Sequence, residues 1–448
     1  MSDQSFRGFL SVLEDAGELR RIEETVDLRY EISALLAANG AGPALLFHDV
    51  AGSDLPVLGN LLGSRRRIAL GLGVGVGEIQ NHLLTALQRP FAHRHIADAP
   101  CQEIVVTDVD LAQLPVPWFF EHETGPYVTA GAIVARDGAD GPANLSIARL
   151  KPLGGPRAMV GIAPNHHLAA LARQAGGRGD TLPIAVTIGN HPAVLLASCL
   201  YLGLGADELE NAGGMFGEPT DVALTPTGLS VPAHCEIVLE GRLDPQELVE
   251  EGPVSEFHGM YEDYGPGMVA TFDRLTMRRD AIYQAIEPGR HPEHLLLGGT
   301  AIAAGLAAEL RRLIPETVAV AVPEAGAGRL SAVVALRPGA RPGAAQRAMF
   351  SVWASVSLIR TVTVVDSDVD PWDTSEVEWA RTAYCRADRD LLVIPGGSAD
   401  RAEPLELRGR VAKLGIDATR KRDDRADHRE AAPPADALAA ARVRLHPR

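Results

Sequence analysis

Between residues 101 and 290 the apolar residues fall in short runs cut by Gly, Pro and Asp, and this series of strand-like segments most limits the folds open to the chain. QEIVVTDV, TAGAIVAR, LPIAVTIG, HCEIVLEGRL and MVATFDRLTMRR each read as a strand, and two helical stretches, HHLAALARQAG and ADELENAGG, interrupt them. So many strands separated by turn residues predict a barrel or a strongly curved sheet. On either side the period changes. Before residue 101, SFRGFLSVLEDAG and RYEISALLAANG have helical spacing with a Gly stop, and ELRRIEE between them alternates like a strand. From about 297, GTAIAAGLAAELRRLI, TVAVAVPE, LSAVVALRP, GAAQRAMFSVWASV and TVTVVDSD alternate helix with strand, as in an α/β layer. At 448 residues the chain exceeds what one hydrophobic core serves, so the pattern divides it into units at 1–100 (α/β), 101–296 (β) and 297–448 (α/β with a compositionally biased tail). The far end of that tail, AAPPADALAAARVRLHPR, is expected to be flexible or to pack on a partner chain.

The charge balance narrows the partners. A net charge of −16 argues against nucleic-acid binding, and an anionic ligand needs a local site of its own. No run of eighteen apolar residues is present, so no membrane span is expected. Four scattered cysteines, Cys101, Cys199, Cys235 and Cys385, form no zinc-like cluster, and together with an N-terminus lacking secretory layout they point to reduced thiols in a cytoplasmic protein.

Two motifs fail on inspection. GLGVGVGE at 71–78 has Val76 where a dinucleotide fingerprint needs its third Gly, and reads as a turn before the helix IQNHLLTALQ. VVDSDVDPWD at 364–373 spaces aspartates like a calcium loop but carries Pro371 at the sharp turn and Val377 in place of the bidentate Glu, so it reads as a solvated loop. Three others carry more. NLSIARL places Asn144, Ser146 and Arg149 in a segment that otherwise asks for burial. PNHH offers His166 or His167 at a helix start, either a packed histidine or a metal ligand. EEGPVSEFHG brackets a Gly-Pro turn with Glu251 and Glu256, which lets both carboxylates face one ligand; paired carboxylates beside an Arg are a common way to tune an acid.

In order along the chain, NLSIARL, PNHH, ADELENAGGMFGEP followed by SVPAHCEIVLEG, EEGPVSEFHG, and AKLGIDATRK resemble the UbiD family of prenylated-FMN-dependent decarboxylases, over nearly the whole length. The family's five-residue step from Asn to Arg recurs as Asn144 and Arg149, and its five-residue step between loop carboxylates as Glu251 and Glu256. The resemblance implies an N-terminal α/β unit, a central split β-barrel of the flavin-reductase kind binding prenylated FMN, and a C-terminal α/β oligomerisation domain. It makes Asn144, His166 and Glu208 ligands of a divalent metal, Mn2+, that grips the flavin phosphate. A K+ ion would sit on backbone oxygens near Leu145, Ala197, Ser198 and Leu200, with Glu208 shared. Leu145, Ser146, Ile147, Ala148, Asn165 and Lys413 would line the cofactor, Lys413 at its phosphate. An acidic protein would thus neutralise a dianionic phosphate locally, with cations and one lysine.

The implied reaction is the reversible, non-oxidative decarboxylation of an aromatic, heteroaromatic or α,β-unsaturated carboxylic acid through a covalent adduct with prenylated FMN. Arg149, paired with Glu251, would steer the substrate carboxylate. Glu256 is read as the proton donor, because a guanidinium lowers the pKa of the carboxylate nearest it and leaves the farther one the better acid. His258 would contact substrate, assist the glutamates or point away. The implied partners are the acid and CO2, a flavin prenyltransferase supplying the cofactor, and further copies of the chain in a homodimer or higher oligomer. Two alternatives remain: an FMN-dependent oxidoreductase on a split barrel, and a non-catalytic cofactor-binding assembly protein. Neither needs the metal set together with Arg149, Glu251 and Glu256.

Overall fold

The computed structural model describes residues 3–138, 141, 143–421, 431 and 433–445. The first helix, Phe6–Asp15, starts where Ser5 holds an extended backbone and its side chain accepts the Gly8 N–H; Phe6, Phe9, Leu10 and Leu13 bury one face. Strand Leu19–Ile22 pairs in parallel with Ala44–Phe47, joined through helix Glu31–Asn39, which stops at Gly40 with φ of 55°. The same sheet continues through Val57–Gly59 to Tyr283–Ala285. The N-terminal layer therefore takes its last strand from the far side of the central sheet.

The central sheet is antiparallel throughout and has eight strands. Its pairing path runs Ala143–Ile147, Ala132–Arg136, Leu182–Ile188, Ile237–Glu250, Pro266–Met277, Arg157–Gly161 and Arg149–Gly154, with Ile104–Val106 paired to Pro266–Met277. The first and last strands of that path are separated in the chain by Ala148 alone, so the sheet curls until its ends approach one another there. The described pairings do not include one that closes it into a full barrel.

Strand Ile237–Glu250 is longer than the sequence pattern suggested, which ended near Leu243. Two register shifts explain the extension, one at Glu240/Gly241 and one between Asp244 and Leu248. The second absorbs Pro245, which has no N–H to give a ladder. At the first, a Cβ on Gly241 would collide with the Thr271 carbonyl oxygen, so the bend tolerates no side chain. The extension carries the strand directly to Glu251.

Helix Pro292–Leu313 runs unbroken through residue 297, where the sequence pattern changed, and its apolar residues are buried between the central part and the C-terminal sheet. That sheet has the order Thr317–Ala321, Ser331–Leu336, Thr361–Asp366, Arg410–Asp417, Leu391–Ser398, with both outer pairs antiparallel and the inner ones parallel. The aspartate-rich loop after Asp366 caps the next helix: Asp373 accepts the Ser375 and Glu376 N–H groups. The glycine-rich stretch forms a short turn, Val76–Glu78, ahead of helix Ile79–Gln88. Of the tail, Ala435–Leu445 is helical, while 422–430, 432 and 446–448 lie outside the described residues, so the reading of the tail falls partly beyond them. All four cysteines are unpaired. Among the described residues no helix is long and apolar enough to cross a membrane.

Candidate active site

Arg149 opens the last strand of the curled sheet, and Glu251 follows the long strand that ends at Glu250. The two meet as a bidentate pair, Arg149 Nε donating to Glu251 Oε1 at 2.5 Å and Nη2 to Oε2 at 2.7 Å. Glu256 stands farther off, with Oε1 at 3.8 Å from Arg149 Nη1. Burial alone would lower the Arg149 pKa, but the Glu251 hydrogen bonds and charge, with the Glu256 charge, hold it above the ordinary value. Glu251 is 2% exposed. Removing either member of the pair would strand a buried charge at a cost of about 3–5 kcal/mol. The ring of Tyr264 lies under Arg149, with the guanidinium carbon 5.4 Å from its centroid.

The loop between the glutamates is a small hairpin. Gly252 has φ of 76°, Val254–Ser255 pairs with Tyr261–Glu262, and the Glu256 N–H donates to Met260 O at 3.0 Å. The contacts of His258 lie within the hairpin: its Nε2 is 3.4 Å from Glu262 Oε1 and its Nδ1 accepts the Met260 N–H. Its side chain is buried beside the hairpin, 3% exposed.

Asn144 and Ser146 lie two residues apart on strand Ala143–Ile147, hence on one face of the sheet, and each is 3% exposed. Asn144 Oδ1, Ser146 Oγ and His166 Nδ1 are buried atoms without a hydrogen-bond partner. Helices His167–Gly177 and Glu208–Phe216 both pack against this strand, which brings His166 and Glu208 toward it. Glu208 Oε2 accepts the Leu145 N–H at 2.8 Å, and burial pushes its carboxyl up to about 7. Burial lowers His166, favouring the neutral imidazole that a metal requires. An amide oxygen, a neutral imidazole and a carboxylate form a donor set suited to a divalent cation such as Mn2+. Among the described residues no three or more His, Cys, Asp and Glu gather as a metal cluster, so this set depends on Asn144. The residues fit the implied cation.

The remaining candidates are spread out. The Ala197 carbonyl accepts the Leu200 N–H at 3.0 Å, and Ser198 Oγ donates to Leu195 O at 2.7 Å. Asn165 Nδ2 donates to Asp400 Oδ2 at 3.3 Å. Lys413 is buried on the C-terminal sheet, where its ammonium donates to the carbonyls of Ser357 and Ile359. A cavity of about 290 Å³ borders Asn144 and Leu145, lined also by His93, Arg136, Asp207 and Ser230; neither Arg149 nor the two loop glutamates reach it.

Sequence reasoning missed several neighbours of the Glu251–Glu256 loop. Glu123 is buried and hydrogen-bonded to Ser255, Thr124 and Lys151 hold the Glu251 carbonyl, and Arg401 stacks on Tyr264 at 4.3 Å. The one local signal was HETGPY at 122–127, a cluster of polar residues in an apolar setting.

Comparison with known proteins covers the same ground. Three models of the 3-octaprenyl-4-hydroxybenzoate carboxy-lyase (UbiD) family match: the N-terminal domain over residues 10–87, the Rift-related domain over 94–291 and the C-terminal domain over 295–418. The anhydromevalonate phosphate decarboxylase of Methanosarcina mazei is 33% identical over 420 residues, spanning 93% of this chain and 96% of that protein. An evolved dimeric form of the UbiD-class enzyme HmfF from Pelotomaculum thermopropionicum, in complex with prFMN, superposes with a TM-score of 0.88 at 34% identity, covering 97% of this chain and 98% of that one. The closed form of Sedimentibacter hydroxybenzoicus vanillic acid decarboxylase gives 0.86 at 27% identity, covering 99% and 98%.

Proposed function

Since the chain belongs to the UbiD carboxy-lyase family, we propose that it decarboxylates an aromatic, heteroaromatic or α,β-unsaturated acid reversibly and without net oxidation, with prenylated FMN as cofactor. In this reading Arg149 and Glu251 seat the substrate carboxylate and Glu256 donates the proton that replaces it. The observation that carries the assignment is the unequal grip of Arg149: bidentate on Glu251, 3.8 Å from Glu256. A carboxylate locked to a guanidinium is a poor acid, while one held loosely can take and give a proton.

When bound, prenylated FMN supplies the electron sink for the pair left behind as CO2 departs. The protein's part is to orient the acid, exclude water and move one proton. Arg149 Nη1 lies 3.8 Å from Glu256 Oε1, and in this reading the seated carboxylate and the proton source would face one substrate carbon. After CO2 leaves, the Glu256 proton passes to that carbon; in the carboxylation direction Glu256 takes it back.

Asn144, His166 and Glu208 would hold Mn2+, and the unpartnered atoms of Asn144 and His166 support that reading. K+ would take carbonyls near Leu145, Ala197, Ser198 and Leu200 with Glu208. Ser146, Ile147, Ala148 and Asn165 would border the cofactor, and Lys413 would reach its phosphate by giving up a carbonyl partner. The curled central sheet would serve as the split barrel, and a homodimer formed through the C-terminal domain accords with the dimeric relative. A flavin prenyltransferase would supply the cofactor.

Co-expression with such a prenyltransferase, followed by CO2 release from a panel of α,β-unsaturated, benzoic and five-membered heteroaromatic acids, tests the reaction. Glu256→Gln is expected to keep the cofactor and lose about 10²–10⁴-fold in rate. It should also stop exchanging the product's hydrogen with solvent deuterium. Wild-type exchange in that variant would move the acid elsewhere.

A further inference from the structure

The turn Phe120–Thr124 has no part in the reaction above, yet it touches the catalytic loop at both ends. At the first end Thr124 Oγ1 donates to the Glu251 carbonyl at 2.7 Å, and Lys151 Nζ donates to the same oxygen at 2.8 Å. A Cβ on Gly252 would stand 2.7 Å from Thr124 Cγ2, so loop and turn are packed without a gap. At the second end Glu123 Oε1 accepts both the Ser255 hydroxyl, at 2.7 Å, and the Ser255 N–H, at 3.3 Å. Its other oxygen accepts the Phe120 N–H at 3.2 Å.

Glu123 is 4% exposed, and burial raises its carboxyl above the ordinary range. Burying a carboxyl is unfavourable, and what offsets it here is three donors on two oxygens, none of which an apolar side chain could satisfy. An amide would turn an NH2 toward at least one of them. The residue after Ser255 is Glu256, so whatever fixes the Ser255 backbone fixes where that side chain begins.

We infer that Glu123 is a positioning residue for Glu256: acting through Ser255, it holds the proton donor at its set distance from Arg149, while Thr124 and Lys151 hold Glu251 at the other end of the loop. The inference rests on the reading of Glu256 as the acid. Its test therefore includes a measurement that needs no turnover.

Amide hydrogen exchange of the holoenzyme, followed by mass spectrometry, is compared for wild type, Glu123→Gln, Ser255→Ala and the double variant. Peptides spanning 251–262 should exchange about tenfold faster or more in Glu123→Gln, the loss of a charge-assisted hydrogen bond, while those of the central strand 182–188 stay unchanged. Ser255→Ala, which keeps the backbone N–H, should move the same peptides less. The double variant should match Glu123→Gln alone, because both act through one contact. CO2 release by the acid that turns over in the panel should fall in kcat with KM held. Unchanged exchange at 251–262 in Glu123→Gln would overturn the inference, as would additive losses in the double variant. If the loop loosens while Glu256→Gln remains active, the clamp stands and the acid assignment fails.

Discussion

Among individual residues, the site keeps several carboxyl groups out of water and treats each differently. Glu251 is locked to Arg149, Glu256 stands off, Glu208 faces Leu145, and Glu287 lies deeper still. Ser33 Oγ donates to Glu287 Oε1 at 2.7 Å, Oε2 has no partner, and burial, with the nearby Glu123 and Glu293, pushes its carboxyl up to about 8. Folded Glu287 therefore keeps its proton across a range in which the unfolded chain has lost it. Between the ordinary carboxyl value of 4.5 and about 8 the folded state binds more protons, so stability falls as pH rises. The slope from this group is up to about 1.4 kcal/mol per pH unit. Glu287→Gln should flatten that dependence, giving a Tm that declines less than the wild type's between pH 5 and 8. Parallel melting curves for the two proteins would contradict the burial argument.

One level up, among the structural elements, the Glu251–Glu256 loop is held by a turn that is tight where it meets Thr124. Gly252 needs its left-handed backbone, and Thr124 leaves no room for a side chain there. Gly252→Ala should cost about 1–2 kcal/mol in backbone strain and, by pushing the loop off Thr124, should also lower CO2 release. Gly228 has φ of 81° and open space where a Cβ would stand, so Gly228→Ala should incur a similar strain while keeping activity. Urea unfolding and turnover, measured together, separate the two effects. Equal activity losses in both variants would show that strain alone explains them. The strand that delivers Glu251 depends on its neighbours in the same way. HCEIVLEGRL announced a strand, but its continuation to Glu250 depends on two bulges and on contact with Pro266–Met277, which a local pattern does not reveal.

Across the molecule as a whole, the site is a meeting of distant segments. The C-terminal part reaches the reactive end through Arg401, which stacks on Tyr264 and donates to Ile162 O at 3.2 Å, and through Asp400, which accepts from Asn165. The proposed cation set joins a central strand to two helices in the same way. Chelation of the divalent metal should therefore release flavin from the whole protein, and Asn144→Ala should purify with most of its flavin absorbance missing. Full flavin occupancy in Asn144→Ala, or retention after exhaustive chelation, would remove that residue from the metal site.

The elements and the candidate residues of the site were legible in the order of residues. Period, caps and turn residues located most helices and strands, and the resemblance carried by the five-residue steps from Asn144 to Arg149 and from Glu251 to Glu256 singled out the candidate reactive groups, because these signals are carried by neighbours along the chain. Which groups face one another became settled only in three dimensions. The return of Tyr283–Ala285 to the N-terminal sheet, the approach of the two end strands at Ala148, the unequal distances of the glutamates from Arg149, and the hold of Glu123 on Ser255 all depend on segments brought together by the fold. Such contacts are selected by burial and by the need to pair polar groups inside, and neither is encoded in a local pattern. Glu123 shows the limit plainly: in HETGPY it is one acid in a turn, and its role exists only once the loop 132 residues away packs against it.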